Sequence, residues 1–275
     1  MNNKNFQTYF DYGSSKIRAG VFNKNNQNEN FCEDSKISKG YLNLDLEIQK
    51  IILSMEKNTN EYIDTVNLMI DSPHMLTISI SVFKKYDGSI LKKEDIQFLI
   101  QVAKQQILTN YPNQNILHII VKNYCIDGNK SIIFPEKKVC SKLSISITFI
   151  CLPKNIIQET KKLFLKLGIS LEKFLCSSYA KASNYKNIFE NSENILFVDM
   201  GYNRTSITCY KKNEFDFFEI LPIGGNHITK DISKILNVDL IKAEEIKLNF
   251  DKKENLLNTS QASLELIQKI IFSRI

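Results

Sequence analysis

Three short segments, Asp11-Tyr-Gly-Ser-Ser-Lys16, Val198-Asp-Met-Gly201 and Leu221-Pro-Ile-Gly-Gly-Asn-His-Ile-Thr-Lys-Asp231, each follow an apolar run that reads as a strand. Each then places Gly, Ser or Asn where a backbone N–H can meet an anion. The third leads into a helix, whose start favours negative charge. Strand ends carrying such turns at three distant places point to an α/β chain that gathers them around phosphate, and the arrangement expected is a two-lobed clamp.

The 275 residues suffice for one large α/β domain or two smaller ones, and a hydrophobic content of 43% supplies an ordinary globular core. No run of about 18 apolar residues occurs, and the polar start Met1-Asn-Asn-Lys-Asn5 has no hydrophobic signal core behind it. A cytoplasmic, non-spanning chain is expected. Cys32, Cys125, Cys140, Cys151, Cys176 and Cys209 form no Cys-x-x-Cys pair and read as reduced thiols, not as zinc ligands or disulfides.

The net charge of +6 comes almost wholly from lysine, since Arg18, Arg204 and Arg274 are the only arginines. That argues against sequence-reading nucleic-acid recognition, which leans on the arginine fork, and no nucleic-acid partner is expected. The pairs Lys84-Lys85, Lys92-Lys93, Lys137-Lys138 and Lys161-Lys162 alternate with acids or apolar residues and read as solvated faces, with a general attraction to anionic surfaces left open. His74, His118 and His227 stand singly, and neither Gly-x-Ser-x-Gly nor His-Glu-x-x-His occurs, so a hydrolase reading fails.

The alternation of Phe6–Asp11, Lys16–Asn23 and Phe31–Ser38 predicts an opening β-meander. Leu44, Ile48, Ile51, Ile52 and Met55 recur at helical spacing, as do Ile96, Leu99, Ile100, Ala103 and Ile107. Strands are expected over Val66–Ile70, Leu76–Phe83, Ile116–Val121 and Leu143–Ile150. A helix is expected after Pro153, with Ile156, Ile157, Thr160, Phe164 and Leu167 inward and Gly168 as its C-terminal cap. Further on, Ile195–Val198 and Ser206–Tyr210 read as a hairpin around Asp199–Thr205, and Phe217–Leu221 as the next strand. Helices are then expected over Thr229–Leu236, over Ala243–Leu248 and from Ser263 onward.

Taken together, these segments resemble the bacterial FtsA cell-division proteins, members of the actin/Hsp70-like ATPase superfamily. Asp11-Tyr-Gly-Ser-Ser-Lys-Ile17 is similar to the family's first phosphate loop, and Val198-Asp-Met-Gly201 to the start of the second. Leu221–Ile232 followed by Ala243-Glu-Glu-Ile-Lys247 is similar to a pair of family signatures. Cys176-Ser-Ser-Tyr-Ala180 resembles the connecting segment, and Ile116–Asp127 resembles part of the family's small inserted domain. The resemblance implies a two-lobed actin/Hsp70-like (ribonuclease H-like) α/β fold: residues 1–63 and 148–189 as the first lobe, 64–147 as an inserted α+β SHS2-type subdomain, and 190–275 as part of the second lobe.

It also implies residue roles. Asp11 would help hold the water shell of a magnesium ion, Gly13, Ser14 and Ser15 would offer donors to the phosphates of ATP, and Lys16 would add a charge. Asp199, Gly201 and Thr205 of the second phosphate loop, together with Gly224, Gly225 and Asn226, would line the nucleotide, and Glu244 and Lys247 would reach its ribose. The plainer alternative for that last pair is an ordinary solvated ion pair. No catalytic residue is implied, because Gly201 is followed by Tyr202, Asn203, Arg204, Thr205 and Ser206 in place of a glycine-rich run with Thr and Asp. ATP turnover is expected to be weak or absent.

The implied partner is the C-terminal tail of FtsZ, contacted by Arg274, with self-association or later division proteins engaging the inserted subdomain. The chain ends before the family's adenosine loop and its membrane-tethering helix, so the expectation is a shortened second lobe without a tether. It would work at the inner membrane face only when recruited by partners. Two alternatives stand beside this: a PilM-like type IV pilus assembly adaptor, and a degenerate scaffold that binds no nucleotide.

Overall fold

Alternating apolar residues set the first sheet. The computed structural model describes residues 5–26, 30–36, 44–189, 192–212, 214–250 and 261–274. In it β1 (Phe6–Tyr12), β2 (Lys16–Asn23) and β3 (Asn30–Lys36) form the expected antiparallel meander. Ile37 and Ser38, expected to end the third strand, and Ile275, expected in the last helix, lie outside the described residues, as do Met1 to Lys4. Helix α1 (Leu44–Thr59) buries all five residues read from its periodicity. They pack on Phe10, Ile17 and Val21 of the sheet.

β4 (Thr65–Ile70) then pairs with β1 in parallel, and the chain leaves this sheet to build another. β5 (Leu76–Lys85), α2 (Lys93–Asn110), β6 (Gln114–Ile126), β7 (Asn129–Ser131) and β8 (Lys142–Pro153) give an antiparallel sheet in the order β5-β8-β6-β7. Leu99, Ala103 and Ile107 of α2 pack on Leu143, Ile145, Ile147 and Phe149. The other face of β8 carries Ser146 and Thr148, which pair with Ser81 and Ser79 of β5 at 3.0 and 2.8 Å.

Helix α3 (Lys154–Lys166) returns the chain to the first core through fully buried Phe164, whose ring meets that of Phe10 edge-on at 5.8 Å. It stops where the sequence places its cap. Gly168 takes φ +75°, its N–H donates to Leu165 O, and the N–H of Ile169 donates to Phe164 O. β9 (Ser170–Cys176) adds in parallel beside β4, completing the order β3-β2-β1-β4-β9, and runs directly into α4 (Ser177–Tyr185). Periodicity predicts neither β9 nor α4.

The remainder is a three-stranded sheet, β10 (Asn194–Met200), β11 (Thr205–Lys211) and β12 (Glu214–Leu221), followed by α5 (Gly225–Leu236), α6 (Leu240–Leu248) and α7 (Gln261–Phe272). One correction concerns α5, which begins at Gly225 and not at Thr229. The Gly-Gly-Asn run that looks like a loop is its first turn. By backbone contacts the chain divides into two units, Met1–Phe197 with Ile207–Ile220, and Val198–Ser206 with Leu221–Ile275. The second has its own core of Ile228, Ile232, Ala243, Ile267 and Ile270.

Candidate functional site

In the first unit, the turn between β1 and β2 is closed by Gly13, whose N–H donates to Asp11 O at 3.2 Å and Lys16 O at 3.1 Å. A Cβ there would stand 2.7 Å from Lys16 O, so only glycine permits the approach. Ser14 and Ser15 form the tip of this turn. Lys16 Nζ faces Asp34 at 3.5 Å. Asp11 is mostly buried: Ser177 Oγ donates to it at 2.8 Å, Arg18 lies at 3.4 Å and Lys181 at 3.6 Å. Ser177 is the first residue of α4, where helix N–H groups favour a carboxylate.

A second carboxylate, Asp71, lies just past β4 and is held by the next residue of the same helix. It accepts from the Ser178 N–H at 3.1 Å, from the Ser178 hydroxyl, and from the Cys176 thiol at 3.4 Å. Burial, reinforced by the Asp71 charge, pushes the Cys176 thiol far up, so it stays protonated as a donor. The N–H of Cys176 donates in turn to His118 Nε2 on β6 at 2.8 Å. Burial lowers His118 to about 4, which keeps the ring neutral and able to accept. Sequence reasoning missed Asp71, Ser177 and the use made of His118. The available signal was that Asp71, like Asp11, follows an apolar strand.

In the second unit, the hairpin between β10 and β11 turns at Gly201–Arg204, with Gly201 N–H donating to Arg204 O at 2.8 Å. Tyr202 and Asn203 make this turn without positive φ. The loop expected over Asp199–Thr205 is therefore shorter: Asp199 lies exposed in β10 and Thr205 buried in β11. The Thr205 hydroxyl donates to Ile223 O at 2.6 Å.

The start of α5 closes onto the same turn. Gly225 N–H donates to Gly201 O at 2.9 Å and Asn226 N–H to Tyr202 O at 2.8 Å, while the Asn226 side chain donates to Asn203 Oδ1 at 3.1 Å. Gly224 N–H donates to His227 Nδ1 at 3.1 Å. In this structure, then, the first-turn N–H groups assigned to a phosphate from sequence are held by hairpin carbonyls and a histidine.

Glu244 and Lys247 share one face of α6, as their spacing predicts, and bind each other at 2.6 Å. Lys247 Nζ also donates to Gly225 O at 3.1 Å and to Thr229 Oγ1 at 2.9 Å, which accounts for its three protons. Lys247 thereby ties α6 to the first turn of α5. Lys247→Met should cost the second unit about 2 kcal/mol, read from denaturant midpoints, because charge-assisted bonds at a largely buried ammonium are lost. At the other side of α5, Arg274 Nε bonds Asp231 Oδ2 at 2.7 Å. Among the described residues no group of three His, Cys, Asp or Glu gathers in a way that could hold a metal ion.

Two family models match. That of cell division protein FtsA takes residues 196–268, and that of the SHS2 domain inserted in FtsA takes residues 74–151. The two stretches together cover more than half of the chain. The chain belongs to the FtsA family. Its fold is accordingly the actin/Hsp70-like α/β fold with an inserted SHS2 subdomain. Cell division protein FtsA of Streptococcus pneumoniae is 24% identical over 262 residues, covering 91% of this chain and 57% of that protein. FtsA of Helicobacter pylori is 27% identical over 138 residues, covering 50% of this chain and 28% of that one. The chain thus spans little more than half of the first relative and less than a third of the second.

A solved chain of the PilM-PilN type IV pilus biogenesis complex superposes with a TM-score of 0.64 at 12% identity, covering 97% of this chain and 73% of that one. That is likeness of fold alone. Among the described residues no helix is long and apolar enough to cross a membrane.

Proposed function

We propose that this chain acts as a division adaptor of the FtsA type, binding the C-terminal tail of FtsZ and helping to assemble the septal ring at the inner face of the membrane. The supporting observation is Arg274, which follows α7 within the stretch adjoining the FtsA match. Its guanidinium is already oriented by Asp231, so an acidic tail meets a fork whose side-chain freedom is largely paid in advance. The inserted subdomain, expected over 64–147, runs on this reading over 71–153, because β4 pairs with β1 in the first sheet and β8 stays in the inserted one to Pro153. It is open to self-association or later division proteins, while 1–70 and 154–189 form the first lobe and 190–275 the part of the second lobe that receives FtsZ.

ATP with magnesium belongs to the same proposal. In the first unit Asp11 would hold magnesium through water, and Gly13, Ser14, Ser15 and Lys16 would meet phosphate oxygens. In the second, Asp199, Gly201, Thr205, Gly224, Gly225, Asn226, Glu244 and Lys247 are the candidates. The fit there is partial, because the N–H groups of Gly225 and Asn226 and all three protons of Lys247 already have partners. A nucleotide must displace such contacts, which favours weak binding. Ser206, buried at 4% exposure, stands where the family resemblance implies an acid, and on this reading little or no hydrolysis is expected.

The test is a titration of a labelled FtsZ C-terminal peptide, with and without Mg-ATP, into the chain and its Arg274→Ala variant. Saturable binding weakened on the order of 10- to 100-fold in the variant is expected. Equal binding by both proteins, or preference for a pilus-protein peptide, would defeat the reading.

A further inference from the structure

Three lysine pairs that the sequence scatters come together at one end of the inserted sheet. Lys84 and Lys85 end β5, and Lys92 and Lys93 open α2. Lys137 and Lys138 lie on the stretch before β8, which is tied to the first two: Leu91 N–H donates to Lys138 O at 2.9 Å, Lys137 N–H to Leu91 O at 3.2 Å, and Tyr86 N–H to Ser141 O at 2.8 Å. In the β5-β8 register Lys85 stands directly opposite Lys142. Like charges opposed across a ladder repel each other, and an anionic counterpart would relieve them.

The same end exposes aliphatic side chains among the lysines. Ile90 and Val139, opposed in a bridge, are 54% and 60% exposed, and Ile132 and Ile133, which follow β7 on the segment that goes on to Lys137 and Lys138, are 59% and 79% exposed. Phe83 is 59% exposed beneath the Lys142 ammonium, which lies 4.6 Å from its ring centre. The acids here are fewer. Asp95 is bonded to Lys84 and to the Lys92 N–H, and Asp127 accepts from the Ser141 and Lys142 N–H groups, leaving Asp87, Glu94 and Glu136 on the surface.

We propose that this end of the inserted subdomain is a contact surface for an anionic lipid bilayer. Adjacent exposed isoleucines flanked by lysines match both layers of such a surface, with headgroup phosphates meeting the ammonium groups and the outer acyl region taking Ile132 and Ile133. An acidic peptide would answer the charge but would leave the isoleucines in water, since they lie on an exposed bend after the edge strand β7. The surface is independent of Arg274 and of the nucleotide residues.

The experiment is cosedimentation of the full chain with vesicles of phosphatidylcholine alone and of phosphatidylcholine mixed with phosphatidylserine. Binding is expected only to the mixed vesicles and should fall with salt. Lys85→Gln with Lys137→Gln and Lys138→Gln should lower the partition coefficient on the order of 100-fold, and Ile132→Ser with Ile133→Ser on the order of 10-fold. A control with the same charge loss elsewhere, Lys57→Gln with Lys162→Gln and Lys173→Gln, should bind like the parent. Equal loss in that control would reduce the effect to net charge and overturn the proposal. So would no binding to mixed vesicles alongside saturable binding of polyglutamate. All these side chains are exposed, and unchanged melting curves confirm that the variants fold.

Discussion

Gly224→Ala should destabilise the second unit by about 2 to 3 kcal/mol, measured by denaturant unfolding and by faster amide exchange in the first turn of α5. The added methyl would stand 2.6 Å from Arg204 N, 2.6 Å from Gly201 O and 2.7 Å from Tyr202 O. All three are backbone atoms, so no side chain can rotate away. The cost is steric and not conformational, for Gly224 has an extended φ of −155° that any residue adopts. To admit the methyl, α5 must lift off the hairpin, and the bonds from Gly225 to Gly201 O and from Asn226 to Tyr202 O lengthen together. Undiminished stability would mean that the turn yields easily and does not position the start of α5.

The second large effect is a dependence on pH centred on His118. Its folded value of about 4 lies below the ordinary 6.5 because its site on β6 is largely desolvated. Between these values the unfolded chain binds a proton that the folded chain does not, so stability rises with pH. The contribution is fully present above 6.5 and is lost as pH falls toward 4, amounting to about 3 kcal/mol across that window. Protonation also removes the acceptor for Cys176 N–H, while the Tyr179 ring, 4.8 Å away, and the protonated Cys176 thiol supply no charge to compensate. His118→Gln keeps an acceptor without the titration. Denaturant midpoints from pH 7 to pH 4 should fall more steeply for the parent than for this variant. Parallel curves would show that carboxylates elsewhere account for the acid sensitivity.

Where a pattern is local, the sequence carries it. All five apolar positions of α1 are buried, and Gly168 caps α3 through both bonds of its motif. The start of α5 is misplaced from sequence because glycine and asparagine are poor helix formers. Their helical state comes from carbonyls of Gly201 and Tyr202, which no window along the chain can see. The parallel order β1-β4-β9 is equally invisible, being fixed by strands separated by a whole sheet.

Among site residues, the Glu244–Lys247 pairing follows from spacing. The partners of Lys247 on α5 do not, since they depend on how two helices meet. In the sequence His118 looks like one of three scattered histidines. What gives it a role is a backbone N–H at Cys176, and a backbone donor leaves no mark in the residue alphabet.

The excursion between β4 and β9 bears on the order in which the chain folds. Thr65 pairs with Ser170, so the first sheet cannot close its far edge until the inserted segment between them has been accommodated. Were that segment loose, its length alone would add little, since each doubling of a flexible loop costs only about 0.6 kcal/mol. The greater hazard is kinetic: a long unstructured span exposes Phe149, Ile147 and Leu143 while distant strands search for each other. With its own core under α2, the insertion can collapse first and bring its two ends, Ile70 and Lys154, near one another as a preformed clip, since Leu76 pairs with Cys151. Docking of β9 then becomes the late step, and the bonds from Ser177 to Asp11 and from Ser178 to Asp71 form only once that step is complete.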